Sequence, residues 1–349
     1  MKTLLFVIAV LLCRFSIGQG VVEIPFKSLD KDYVKLVNSI KEIEKSESKQ
    51  IISLDDSDFE KFNDLDTRFL MFWKLSFHYA ELNEYDKCFE ILKKAQSEGF
   101  FFRLSIERNS PSYLEELKKF DEFQFFVEQN ETLKKEKEST GKAEYMIQLP
   151  EDYNENRKYP LLFIIQGGGG CIPDLQYLYN SPKLKNDFIV AYFQGDDMVG
   201  SYQRGFSGNL WFEHITTGIN QIISKCSVDT TKIIVGGPSS GGTMSIYIAR
   251  ESKIPLRGLL LNFPGIPEQL IPEDIKNTKY LAFKEKDLKV VQLCGENDQR
   301  IQLQKEIAYW LDKYMIKNRF VVFPEIGHGF PPNFQHHLET SIEYLLKDK

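Results

Sequence analysis

Five consecutive residues, Gly237-Pro238-Ser239-Ser240-Gly241, have the types and spacing of a nucleophile-bearing turn. The apolar run Lys232-Ile233-Ile234-Val235-Gly236 precedes them, and a helix-like stretch at 240–252 follows. A buried strand would thus enter a helix through a serine flanked by glycines. Such a turn is tight, so its neighbours must be small for backbone segments to approach closely. It would lift the hydroxyl above a sheet, with a helix N-terminus behind it to stabilise developing negative charge. Ser239 is the favoured nucleophile. Ser240 is the alternative, but Pro238 would then stand where the first glycine is wanted. A serine hydroxyl is weak at neutral pH and needs a base held by an acid. The chemistry that fits is acyl transfer through a covalent serine intermediate.

The chain has five histidines. His78 lies in an N-terminal helical region. His214 falls in a helical stretch before the serine, and His336 and His337 fall in the last one. His328 alone follows a strand-like run, within Glu325-Ile326-Gly327-His328-Gly329, where a loop could return it to the serine. The run at 288–293 leads into Cys294-Gly295-Glu296-Asn297-Asp298. Asp298, beyond the strand tip, suits the task of orienting an imidazole, and Glu296 is its rival. The order is then Ser239, Asp298, His328.

Acyl transfer also needs backbone N–H groups aimed at the tetrahedral intermediate. The run at 160–166 ends in Gln166-Gly167-Gly168-Gly169-Gly170. Gly168 or Gly169, together with Ser240, would supply these donors. A phosphate-cradling loop would want a Walker lysine or a GxGxxG pattern, and neither is present.

These residues must be placed by a sheet. From about residue 143, strand-like runs at 143–149, 160–166, 188–193, 232–236, 258–263, 288–293 and 319–323 alternate with helical stretches at 208–226, 240–252, 301–316 and 334–347. Leu161-Leu162-Phe163-Ile164-Ile165 is apolar throughout, as in strands buried on both faces of a parallel sheet. The fold class expected is α/β, a doubly wound and mostly parallel sheet. Every candidate residue falls beyond a strand's carboxyl end, where such sheets bind ligands. The loop at 195–200 and the segment at 204–211 follow a strand end too. They would either line the site or run over the surface.

A small all-helical domain is expected before the sheet, over 25–138, with helices at 31–46, 57–82, 84–98 and 111–136. Phe69, Phe72, Trp73, Phe77 and Ala80 share one helical face. After a turn at Leu82-Asn83-Glu84 comes a second helix that Gly99 would end. The pair resembles a single tetratricopeptide repeat, a unit that could dock a partner protein. A generic helical bundle fits equally well, since one repeat cannot make a solenoid. The charged residues Lys134-Lys135-Glu136-Lys137-Glu138 read as a solvated linker to a second domain at 143–349.

The chain begins Met1-Lys2-Thr3, followed by an apolar run at 4–12 and then Cys13-Arg14-Phe15-Ser16-Ile17-Gly18. That pattern reads as a secretory leader at 1–18, cleaved after Gly18, in a secreted or periplasmic protein. The run is too short to span a bilayer. Loss of Lys2 and Arg14 would move the formal charge from -6 to about -8. No basic excess suggests nucleic acid. Cys88, Cys171, Cys226 and Cys294 are scattered, without CxxC spacing, so no metal site is expected, nor any cofactor. Export would permit disulfides, with three full pairings open, and four free, mostly buried thiols fit equally well.

Taken together, Tyr145-Met146-Ile147-Gln148-Leu149-Pro150, Tyr159-Pro160-Leu161-Leu162, the glycine loop and Val228-Asp229-Thr230-Thr231-Lys232-Ile233 before the turn resemble secreted esterases of the α/β-hydrolase superfamily. The similar groups are the esterase D, feruloyl esterase and polyhydroxybutyrate depolymerase-like ones. The resemblance covers about 143–347. It implies cleavage of a small-molecule or oligomeric ester through an acyl-enzyme on Ser239, with His328 as base and Asp298 as acid. Two positions depart from it: Gln166 stands where His is usual, and Pro238 is uncommon beside the nucleophile. A serine peptidase similar to the prolyl oligopeptidase group, and a non-catalytic binding protein on the same fold, are the other readings.

Overall fold

The computed structural model describes residues 22–23, 30–45, 51–52, 56–104, 114–138, 144–206, 210–265 and 279–347. The expected leader at 1–18 lies outside them.

The helical region comes first. It comprises α1 (Lys31–Lys45), α2 (Asp56–Phe59), α3 (Leu65–Glu81), α4 (Tyr85–Ser97), α5 (Leu114–Leu117) and α6 (Phe123–Glu138). The helix expected over 57–82 is broken, because Asp64 caps a new one. Its carboxylate accepts from the Thr67 N–H at 3.1 Å and from Thr67 Oγ1 at 2.7 Å. The stretch at 111–136 likewise yields two helices. The charged residues 134–138 are not a linker but the end of α6, where lysine and glutamate have good helix propensity. Lys137 Nζ donates to the Gly99 carbonyl at 3.3 Å.

Among the described residues, the sheet has eight strands in the order β1-β2-β4-β3-β7-β8-β9-β10. They are β1 (Val22–Glu23), β2 (Glu144–Gln148), β3 (Tyr159–Ile165), β4 (Ile189–Gln194), β7 (Val228–Pro238), β8 (Leu256–Asn262), β9 (Lys289–Gly295) and β10 (Asn318–Phe323). A separate hairpin pairs β5 (Asp197–Met198) with β6 (Arg204–Gly205). Only β2 against β4 is antiparallel within the large sheet. This is the doubly wound, mostly parallel sheet that the apolar runs imply.

Helices cover both faces: α7 (Ile172–Leu178), α8 (Pro182–Asp187), α9 (Trp211–Lys225), α10 (Ser240–Glu251), α11 (Lys279–Glu285), α12 (Ile301–Lys313) and α13 (Phe334–Leu346). Successive strand residues point to opposite faces. Leu161, Phe163 and Ile165 pack with Ile215, Ile219, Ile248 and Leu311. Leu162 and Ile164 pack with Leu175, Leu184, Leu338 and Ile342 on the other side. Helices α7 and α8 are absent from the sequence reading. Each carries a proline in its first turn, and a proline there looks like a break although it starts a helix well.

The helical region seats on the sheet through α7. Its apolar core takes in Cys171 and Tyr177. Tyr177 lies 4.5 Å from Tyr33, ring to ring, and its hydroxyl is 3.3 Å from Thr67 Oγ1. Phe69 packs on Phe102 at 5.5 Å and on Tyr202 at 5.3 Å. The Phe101 N–H donates to Ser201 Oγ, and the Ser201 N–H donates to the Phe101 carbonyl, both at 2.8 Å. No disulfide joins the four cysteines. Cys88, Cys171 and Cys294 are buried, and burial pushes the Cys88 thiol up to about 12. Among the described residues, no helix is long and apolar enough to cross a membrane.

Phe69 is fully buried where the two regions meet. Phe69→Ala is expected to cost about 3–5 kcal/mol in urea unfolding. Phe125→Ala, at a position 64% exposed, should stay within about 0.5 kcal/mol of the parent.

Candidate active site

Strand β7 delivers Pro238, and Ser239 follows at φ 51, ψ -118. A positive φ in a non-glycine residue is strained, so the surroundings must enforce it. The Ser239 N–H donates to the Asn262 carbonyl at 2.9 Å, and its carbonyl accepts from the Gly265 N–H at 3.0 Å. The two flanking glycines are needed for space. A Cβ at Gly237 or at Gly241 would lie 2.0 Å from the Ile165 carbonyl oxygen. The turn therefore presses directly against the end of β3.

The structure brings Ser239, His328 and Asp298 together from three separate strand ends. Ser239 Oγ is 2.9 Å from His328 Nε2, and His328 Nδ1 is 2.8 Å from Asp298 Oδ2. The His328 side chain is 27% exposed, whereas that of Asp298 is fully buried. Burial alone would push the Asp298 carboxyl up. Donation from the Arg300 N–H, from Gln304 and from His328 outweighs it, and the group is held below the usual carboxylate range. Gln304 Nε2 reaches Asp298 Oδ2 at 2.8 Å, and the Arg300 N–H reaches Oδ1 at 2.9 Å. Glu296, the rival acid, is exposed and accepts from the Glu325 N–H at 3.4 Å, away from the imidazole. A Cβ at Gly295 would meet the Ile326 carbonyl at 2.2 Å, so this glycine lets the acid and histidine loops pack together.

The glycine loop after β3 lies against the serine. A Cβ at Gly167 would sit 3.5 Å from Ser239 Cβ, and one at Gly168 would sit 3.5 Å from Ser240 Oγ. The donor assignment at Gly169 needs correction. Its N–H is already spent on the Arg204 carbonyl at 3.0 Å. The Gly170 N–H is likewise spent on the Gly167 carbonyl at 3.0 Å. Among the described residues, no acceptor takes the N–H of Gly168 or Ser240. Gln166 is fully buried and donates from Nε2 to the Arg204 carbonyl at 2.5 Å. The residues at 195–205 therefore neither run over the surface nor simply line the site. Their hairpin clamps the glycine loop from behind, and Arg204 N–H returns a bond to the Gly170 carbonyl at 3.0 Å.

Two further contributors, Gln304 and Arg103, carry no strong signal in the sequence. Gln304 occupies the buried face of α12 with Ile307, Ala308 and Leu311. One polar residue on such a face was its signal. Arg103 comes from the helical region and lies over the glycine loop, its Nη1 2.9 Å from where a Gly169 Cβ would be. Nothing in local pattern joins residues 103 and 169.

No family model matches the chain, and no curated protein matches it. Solved structures do. An uncharacterized protein from Bacillus cereus ATCC 10987 is 18% identical with a TM-score of 0.50, covering 90% of this chain and 98% of that one. S-formylglutathione hydrolase (FrmB) from Staphylococcus aureus is 13% identical with a TM-score of 0.46, covering 59% and 93%. A Bacillus cereus carboxylesterase is 15% identical with a TM-score of 0.44, covering 60% and 96%. The strand order, with β2 alone antiparallel to its neighbour and helices on both faces, makes the fold one of the α/β-hydrolase type. The likeness to the first protein extends over the helical region as well as the sheet, since it spans nine-tenths of the chain.

The lowered Asp298 carboxyl makes a prediction with a definite sign. A carboxyl depressed in the native state stabilises the fold above its unfolded pKa, about 3.9. That stabilisation is lost as pH falls through the native value. The stability gap between the parent and Asp298→Asn, measured by urea unfolding, should therefore narrow between pH 6 and pH 3.

Proposed function

We propose that the chain is a serine hydrolase that cleaves carboxylic esters through an acyl-enzyme on Ser239. The observation that carries this reading is the unbroken hydrogen-bond chain from Ser239 Oγ through the His328 ring to Asp298, at 2.9 and 2.8 Å. Ser239 Oγ attacks the ester carbonyl while His328 Nε2 takes its proton. Asp298 fixes the ring with Nδ1–H toward itself and stabilises the imidazolium. The N–H groups of Gly168 and Ser240 receive the developing oxyanion. The carbonyl–alkoxy bond breaks, and His328 gives its proton to the departing alcohol. Water, deprotonated by the same nitrogen, then releases the acid and restores the serine.

Export through the leader at 1–18 belongs to the same proposal, and the N-terminus of the exported protein would read Gln19. The helical region enters through Arg103, which bears on the oxyanion side of the cleft and would restrict large substrates. That placement also supports the peptidase alternative, so peptides belong in the test.

A fluorophosphonate probe should label the protein, and Ser239→Ala should abolish labelling. On a panel of acetyl, butyryl and feruloyl esters beside peptide anilides, ester turnover should dominate. His328→Ala should lower kcat/KM by roughly 10⁴-fold or more. Turnover of peptides alone would reject the esterase reading, and a labelled Ser239→Ala variant would remove Ser239 from the role. For the oxyanion donors, Gly168→Pro deletes the N–H and is expected to lower kcat by roughly 10²–10³-fold. Gly168→Ala keeps the N–H and places a Cβ in ordinary contact, so it should lose far less.

A further inference from the structure

Arg300 stands beside Ser239, and among the described residues nothing neutralises it. Its main chain is fixed, since its N–H donates to Asp298 Oδ1 at 2.9 Å and its carbonyl accepts from the Gln304 N–H at 3.1 Å. Its side chain is half-buried, and among the described residues the guanidinium makes no ion pair and no hydrogen bond. The carboxylate two residues away is no partner. Asp298 Oδ1 is taken by the Arg300 backbone, and Oδ2 is taken by Gln304 and His328. Carboxylates are plentiful elsewhere, with 50 Asp and Glu in the chain. Arg68, Arg157, Arg250 and Arg257 each reach one within 4.0 Å.

The guanidinium is also close to the nucleophile. The point that a Cβ on Gly265 would occupy is 3.1 Å from Arg300 Nη1 and 3.2 Å from Ser239 Oγ. Both groups thus face one small space, which among the described residues no side chain fills because residue 265 is glycine. Gly265 is held there by its N–H bond to the Ser239 carbonyl. A partly desolvated guanidinium with free N–H donors is suited to a planar anion, above all a carboxylate taken in a two-pronged bond.

We propose that Arg300 is a specificity residue that selects esters carrying a carboxylate close to the scissile carbonyl. The spacing of the two groups sets the separation at roughly two to four bonds. A hemiester of a short dicarboxylic acid meets this on the acyl side, and an ester of a hydroxy acid meets it on the alcohol side. This assignment rests on Ser239 acting as the esterase nucleophile.

The test compares charged and neutral partners of one shape. The pairs are mono-p-nitrophenyl succinate against its methyl ester, and O-acetyl glycolate against methyl O-acetyl glycolate. The parent should favour the carboxylate member of at least one pair by about 10- to 100-fold in kcat/KM. The preference should weaken with added salt. Arg300→Met should bring that ratio close to 1, mainly by raising KM for the charged ester, and Arg300→Lys should restore part of it. Which pair responds tells whether the anion lies on the acyl or the alcohol side. A ratio near 1 in the parent for both pairs overturns the assignment. So does an Arg300→Met variant, folded by its melting curve, that loses equally on charged and neutral esters, the result expected if Arg300 only braces the Asp298 loop. Ser239→Ala run in parallel separates the two readings. Turnover that survives in it rejects the esterase mechanism, whereas Ser239-dependent turnover with a flat ratio rejects only the role of Arg300.

Discussion

The contact between the serine turn and the Ile165 carbonyl governs the geometry of the whole site. Gly237 and Gly241 both face that oxygen at a distance no other residue could share. Because the turn abuts β3, the glycine loop that leaves β3 must pass beside Ser239. The positions of Ser239 and of the Gly168 N–H are therefore set by one close backbone approach. The strain at Ser239 is tolerated because β3, β8 and the part of β7 from Ile233 onward are largely buried and paired. Moving the turn would mean moving the centre of the sheet.

A second layer holds the parts that the sheet cannot. The glycine loop has little side chain of its own, so the β5–β6 hairpin clamps it. The Arg204 carbonyl takes both the Gly169 N–H and the Gln166 amide. The helical region adds Arg103 from the other side and is itself anchored by aromatic packing around Phe69 and Tyr177. On the acid side, Gln304 and the Arg300 backbone fix Asp298, and Asp298 fixes the imidazole. Ser239, His328 and Asp298 thus each have a neighbour that fixes their orientation.

What could be read in advance divides along contact range. The strands were legible because burial on both faces demands continuous apolar runs such as 161–165. Ser239 was legible because a strand, a glycine-flanked serine and a helix are adjacent in sequence. Asp298 and His328 followed from their places beyond strand ends. Helices α7 and α8 do not show in the sequence because a proline in the first turn looks like a break. The charged end of α6 reads as a linker in sequence because charge alone does not separate a solvated helix from a solvated coil.

By itself, the sequence determined the layered sheet, the serine turn and the order of the three polar residues, since each depends on periodicity or on neighbours a few positions apart. Only the tertiary structure decided which backbone N–H groups remain open, because Gly169 loses its own to a carbonyl 35 positions later. Tertiary packing alone also set Arg103 over the glycine loop and Arg300 beside Ser239. Those placements join segments far apart in the chain, where hydrogen bonds and available space choose the partners and local pattern carries no information about them.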